Sequence, residues 1–163
     1  MSIDGKIEIF KVESIDEILF LSELIHKFFE SEKKNLKYTE SDFYERLPAI
    51  LETGVLFYAI EDFVPKAYIV GWRISTIEGD CVFILQAYSE RAFMLRRLRD
   101  TGDKWCRENN IIRQIMIVDP EKENFFMMHY QMKREAILMS REVNVKSDDE
   151  TKIQQEEGNV ASS

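Results

Sequence analysis

The stretch Ile111 to Val143, IIRQIMIVDPEKENFFMMHYQMKREAILMSREV, reads as strand, helix, strand. Residues 114–118 run almost continuously apolar, the pattern of a strand covered on both faces. Residues 121–133 follow as a helix carrying Tyr130 late in its course, and residues 136–143 return to a strand. Immediately upstream, residues 91–110 place Phe93, Met94, Leu98, Trp105 and Cys106 at helical spacing, with Gly102 the only breaker.

Further upstream the period changes. Residues 55–61, 66–75 and 81–87 read as three strands, joined by Asp62-Phe63-Val64-Pro65 and by Thr76-Ile77-Glu78-Gly79-Asp80. Connections of that length suit antiparallel hairpins, so the three form a meander. A helix before them is capped by Thr39 or Ser41, carries Phe43, Leu47, Ile50 and Leu51 on one face, and ends at Gly54. Pro48 inside it predicts a kink or two short pieces, because proline lacks the amide donor and crowds the preceding turn. The first helix starts from a capping box, Ser14 to Glu17, and runs to about Ser31 with Ile18, Leu21, Leu24, Ile25, Phe28 and Phe29 as its apolar stripe. Residues 6–12 alternate in period 2 as a half-buried strand. The reading is α/β, a mixed sheet of about six strands with about four helices, without an internal repeat or an interdomain linker.

Composition agrees with one packed core. A chain of 163 residues, 45% apolar and 12% aromatic, buries roughly two-thirds of its unfolded surface. Residues 144–163 differ: they contain no aromatic and five carboxylates against two lysines, so they read as a disordered acidic tail after a domain of residues 1–143. The tail supplies −3 of the net −8, leaving −5 on the body. That sign argues against non-specific nucleic-acid binding, which neutralises phosphates with Lys and Arg. Arg91, Arg96, Arg97 and Arg99 form a local exception, either a solvated helix face or an attraction for ligand phosphates. Cys81 and Cys106 have no paired spacing, as suits a reducing cytoplasm. No leader pattern and no long apolar run is present, so no membrane segment is expected. His26 and His129 each lack a second ligand at metal spacing. GxxxxGK[ST], GxSxG and HExxH motifs are absent.

The order strand, two helices, three antiparallel strands, helix, strand, helix, strand over residues 6–143 resembles the GNAT superfamily of N-acetyltransferases. Val70-Gly71, within KAYIVGWRIS, stands where that family often carries such a pair in its third strand, and Asn124 precedes Tyr130 by six residues, as in the family's last helix. The resemblance implies a GNAT-like acyl-CoA N-acyltransferase fold and acetyl-CoA as co-substrate. It implies transfer of the acetyl group by direct attack of an amine. The acceptor would be a small-molecule or peptide amine, and an acidic body suits a cationic one such as a polyamine, aminoglycoside or lysine-rich peptide. Tyr130 would be the general acid to the departing thiolate, and Asn124 would bond the pantetheine arm.

The family's glycine-rich pyrophosphate turn, Q/RxxGxG/A, maps onto Leu85-Gln86-Ala87-Tyr88-Ser89-Glu90-Arg91-Ala92-Phe93-Met94, where no glycine occurs. Backbone amides survive that loss, so Leu85, Gln86, Ser89, Arg91, Ala92 and Phe93 are the implied cofactor contacts, with Ser89 able to cap the helix. Glu90 opposes a phosphate and Arg91 offsets it. If the turn needed a positive φ, a non-glycine residue there would cost about 1–3 kcal/mol.

Bland readings stand beside these roles. Tyr130 also reads as an aromatic packed with Phe126 and Met127, and Asn124 as a solvated first-turn residue. A base must neutralise the attacking amine, and residues 81–85 hold no carboxylate. Glu78 and Asp80 are the nearest candidates and equally read as hairpin residues. The alternative function is a catalytically inactive domain of the same fold that acts as a binding or interaction module. A homodimer or a protein partner is compatible with either.

Overall fold

Period-2 strands joined by short connections give a sheet in simple sequence order. In the computed structural model, which describes residues 6–134, the strands β1 (Ile7–Lys11), β2 (Val55–Glu61), β3 (Val64–Thr76), β4 (Gly79–Ser89) and β5 (Arg113–Met116) lie in the order β1-β2-β3-β4-β5. The first four are antiparallel neighbours, whereas β5 runs parallel to β4. A parallel neighbour requires a crossover, supplied here by α4 (Ala92–Glu108). Residues up to Lys133 form one unit, and of the second, 134–163, only Arg134 is described. The strand expected at residues 136–143 and the tail at 144–163 lie outside the described residues.

The first predicted helix is two. Residues 14–16 form a turn, then α1 (Glu17–Phe20) gives way at Leu21 to α2 (Ser22–Glu32). Ser22 Oγ donates to the Leu19 carbonyl at 2.8 Å, a local side-chain bond that competes with continuous helix. Half of the expected box forms: Glu17 Oε1 accepts from the Ser14 and Glu13 amides. A complete capping box opens α3 (Glu40–Thr53), where Thr39 Oγ1 accepts from the Asp42 amide and Asp42 accepts from that of Thr39. That helix passes through Pro48 as one element. It stops at Gly54, where a Cβ would lie 2.2 Å from the Gly71 carbonyl oxygen of β3, so only glycine permits this approach of helix end to strand.

Each face of the sheet has its own core. Leu56, Tyr58, Tyr68 and Val70 pack against α1–α3. Val55, Phe57, Ile69, Val82 and Ile84 pack against Met94, Leu95 and Leu98 of α4 and Phe126 of α5 (Glu123–Tyr130). The alternation slips once in β4: Val70 pairs with Gln86 and Gly71 with Ile84, so Leu85 is the extra residue of a β-bulge. Bulges bend the strand that carries them. A 3₁₀ turn, Pro120–Lys122, precedes α5, and Lys122 forms an ion pair with Glu32 of α2.

Candidate active site

Parallel pairing of β4 with β5 covers Cys81 with Arg113 through Ile84 with Met116, and there it ends. β4 continues to Ser89. Residues 85–89 therefore have β3 on one side and no strand partner on the other among the described residues. The bulge at Leu85 sits at the point where the two strands part. The result is a strand edge without a partner among the described residues, a row of backbone donors and acceptors.

The turn at the end of that edge decides whether an anion can be held. None of residues 85–94 has a positive φ, so the backbone adopted here does not require glycine and the strain that its absence threatened does not arise. Ser89 Oγ accepts from the Arg91 amide at 3.0 Å and donates to the Arg91 carbonyl at 2.6 Å, which ties the turn to itself. Arg91 is the N-cap of α4 with extended φ, without a side-chain cap, and the first turn of the helix contains no carboxylate. Ala92 and Phe93 are exposed there. Uncapped first-turn amides and the helix dipole favour an anion.

Glu90 does not face that anion unpaired. Its carboxylate accepts from Lys66 at 2.8 Å and Lys27 at 2.9 Å, and the two ammonium groups, Lys66 first, hold it below the usual carboxylate range. Arg91 is bonded to Glu61 at 2.8 Å. Arg99 pairs with Asp100, its sequence neighbour.

The other predicted site residues divide. Leu85 packs on the α1–α3 face, and the Gln86 side chain is fully buried on it, so what these two offer a cofactor is backbone. Asn124 is exposed in the first turn of α5, and Tyr130 is the last residue of that helix; the side chains of His129 and Tyr130 lie outside what is described. Glu78 is in the β3–β4 hairpin, paired with Arg113 at 3.2 Å. Ile84, the last residue of β4 paired with β5, lies about 20 Å farther along the strand at 3.3 Å per residue. Asp80 is bound to Ser75 at 2.7 Å and to Arg73 Nε at 2.8 Å, and these partners lower its pKa.

The partners of Gln86 escaped the sequence reading. Gln86 is surrounded by tyrosines: Tyr68 Oη lies 2.8 Å from its Oε1 and Tyr38 Oη 3.1 Å from its Nε2. The signal was a glutamine within the otherwise apolar FILQAY. A separate concavity of about 520 Å³, lined by Lys11, Arg73 and Trp105 among others, includes none of residues 85–94. Cys81 and Cys106 are buried and unbridged. No helix among the described residues is long and apolar enough to cross a membrane.

No protein-family model matches the chain, and no curated protein matches it in sequence. Solved structures do match. An aminoglycoside acetyltransferase from an uncultured soil metagenomic sample, in complex with sisomicin, aligns with a TM-score of 0.64 at 11% identity over 85% of this chain and 97% of its own. Glucosamine-6-phosphate N-acetyltransferase from Arabidopsis thaliana gives 0.62 at 14% identity over 85% and 99%. A predicted acetyltransferase from Clostridium acetobutylicum, solved with acetyl-CoA, gives 0.64 at 15% identity over 84% and 96%. At such identities the likeness shows the fold, and the fold is that of the GNAT acetyltransferases.

Proposed function

We propose that this chain is an N-acyltransferase that moves an acetyl group from acetyl-CoA to an amine by direct attack. The observation that carries the proposal is the edge of β4 left unpaired beyond Ile84 among the described residues, ending in an unstrained turn at an uncapped helix N-terminus. An extended amide-bearing arm suits a free strand edge, because such an edge takes an added strand. A diphosphate suits the first-turn amides of α4, at Ala92 and Phe93. Acetyl-CoA bound there supplies an acyl group activated as a thioester.

The chain's own residues supply binding and proton transfer. Residues 85–89 orient the arm through backbone groups, and Asn124 adds a side-chain amide at the start of α5. Tyr130 is the general acid that gives its phenolic proton to the departing thiolate. A general acid contributes on the order of 10²–10⁴-fold. Replacing Tyr130 by Phe is therefore expected to lower thiol release from acetyl-CoA by about 100-fold in the presence of an accepted amine, while the rise in melting temperature with acetyl-CoA persists. Unchanged turnover in that variant removes Tyr130 from the chemistry.

The absence of any carboxylate from residues 81–89 favours a second reading, a catalytically inactive domain of this fold that binds a ligand or protein. Under it, thiol release stays at the buffer rate with every amine offered.

A further inference from the structure

Apart from tyrosines, Gln86 is the only polar side chain that is fully buried among the described residues. A buried carboxamide must find partners for its oxygen and its NH₂. Here both are tyrosine hydroxyls, and the order of the bonds is fixed from the inside. Tyr68 is fully buried, and its hydroxyl has no hydrogen-bond partner but Gln86 among the described residues. Its proton must therefore go to Gln86 Oε1. That turns Nε2 toward Tyr38, whose oxygen accepts at 3.1 Å. The Tyr38 proton is left to donate elsewhere, on a residue that is 37% exposed.

A second hydroxyl is in want of a partner. Tyr44 Oη is shielded from solvent and has no hydrogen-bond partner among the described residues. A polar group left so costs about 1–3 kcal/mol. The rings pack as one cluster, with Tyr68 and Tyr88 6.4 Å apart, Tyr38 on Phe29 at 5.8 Å, Phe29 on Phe43 at 5.9 Å and Phe43 on Tyr44 at 5.9 Å, and burial pushes the Tyr68 phenol well above its usual range. Glu40, the carboxylate nearest the cluster, is itself paired with His26 Nδ1 at 2.8 Å. The cluster reaches the half of β4 left unpaired by β5, since Gln86 and Tyr88 belong to residues 85–89 of that strand.

We propose that Tyr38, oriented through Gln86 by Tyr68, donates a hydrogen bond to a hydroxyl or ether oxygen of the acceptor, so that the substrate is a hydroxylated amine rather than an alkyl one. This rests on the acyltransferase reading above. Gln86 is then a positioning residue: it determines which way the Tyr38 proton points.

The test is thiol release at saturating acetyl-CoA with two matched amines, trans-2-aminocyclohexanol and cyclohexylamine. The wild-type chain is expected to favour the amino alcohol in kcat/KM by about tenfold, the worth of one good hydrogen bond. Tyr38→Phe is expected to abolish that preference by raising KM for the amino alcohol alone, with the acetyl-CoA melting shift intact. Gln86→Met, which removes the donor that fixes the Tyr38 oxygen, is expected to reproduce the loss. Melting of each variant confirms that it folds, and a merely structural role would not separate the two amines. Equal use of both amines by the wild type, an equal loss on both in Tyr38→Phe, or turnover of neither despite an acetyl-CoA shift overturns the inference. Absence of the acetyl-CoA shift as well sinks the acyltransferase reading, and this inference with it.

Discussion

The two halves of β4 share a strand and differ in what stands beside them. From Cys81 to Ile84 the strand has β3 on one side and β5 on the other, with Cys81, Val82 and Ile84 buried. From residue 85 to 89 it has β3 alone among the described residues, after a bulge and before an uncapped helix. Satisfied backbone on both edges makes the first half a structural support. Among the described residues the second half keeps one edge unpaired, and the chemistry proposed here is assigned to it for that reason. Changes in the first half are thus expected to act on stability and changes around the second on ligand binding.

The largest effect should come from the paired half. Ile84→Ala removes a side chain 2% exposed from the core beneath α4 and is expected to cost about 3 kcal/mol in denaturant unfolding, within the range for such truncations. Phe93→Asp probes the other half. An acid in the first turn of α4 favours the helix slightly and repels a diphosphate, so acetyl-CoA affinity should fall by roughly tenfold or more with melting unchanged or slightly raised. If the two variants lost stability alike, the division of β4 would fail.

Glu90→Gln gives a smaller change, with a pH signature. Lys66 and Lys27 hold the Glu90 carboxyl below its ordinary value of 4.5, so its stabilisation is present above that pH and is lost as pH falls through the lowered folded value. The variant should be less stable than wild type by up to about 1 kcal/mol at pH 7, and the difference should close in acid melts. Smallest is Lys122→Gln, which removes the partner of Glu32. A loss of at most a few tenths of a kcal/mol that shrinks in high salt is expected, as for surface pairs.

Much of this comparison was legible in the sequence and its centre was not. Period 2 located the strands, and the spacing of Leu24, Ile25, Phe28 and Phe29 located a buried helical face, because those patterns are local. Thr39 was legible as a cap through its own side-chain chemistry. The break at Leu21 depends on Ser22 bonding back to Leu19, a choice that serine makes in some helices and not others. The bulge at Leu85 depends on register against β3, and neutralisation of Glu90 depends on Lys27, 63 residues away. Glutamine in FILQAY carried no visible mark of the two tyrosines that would bracket it. Such pairings belong to the fold and cannot be read from spacing.

The central claim, that the open half of β4 and the N-terminus of α4 form an acyl-CoA site, is tested most directly by calorimetric titration of the wild-type chain with acetyl-CoA beside its thermal melt. The account predicts saturable binding with one molecule per chain, a melting temperature that rises with ligand concentration, and loss of both in Phe93→Asp. A cooperative melt that does not move, and no heat of binding up to millimolar acetyl-CoA, would contradict it.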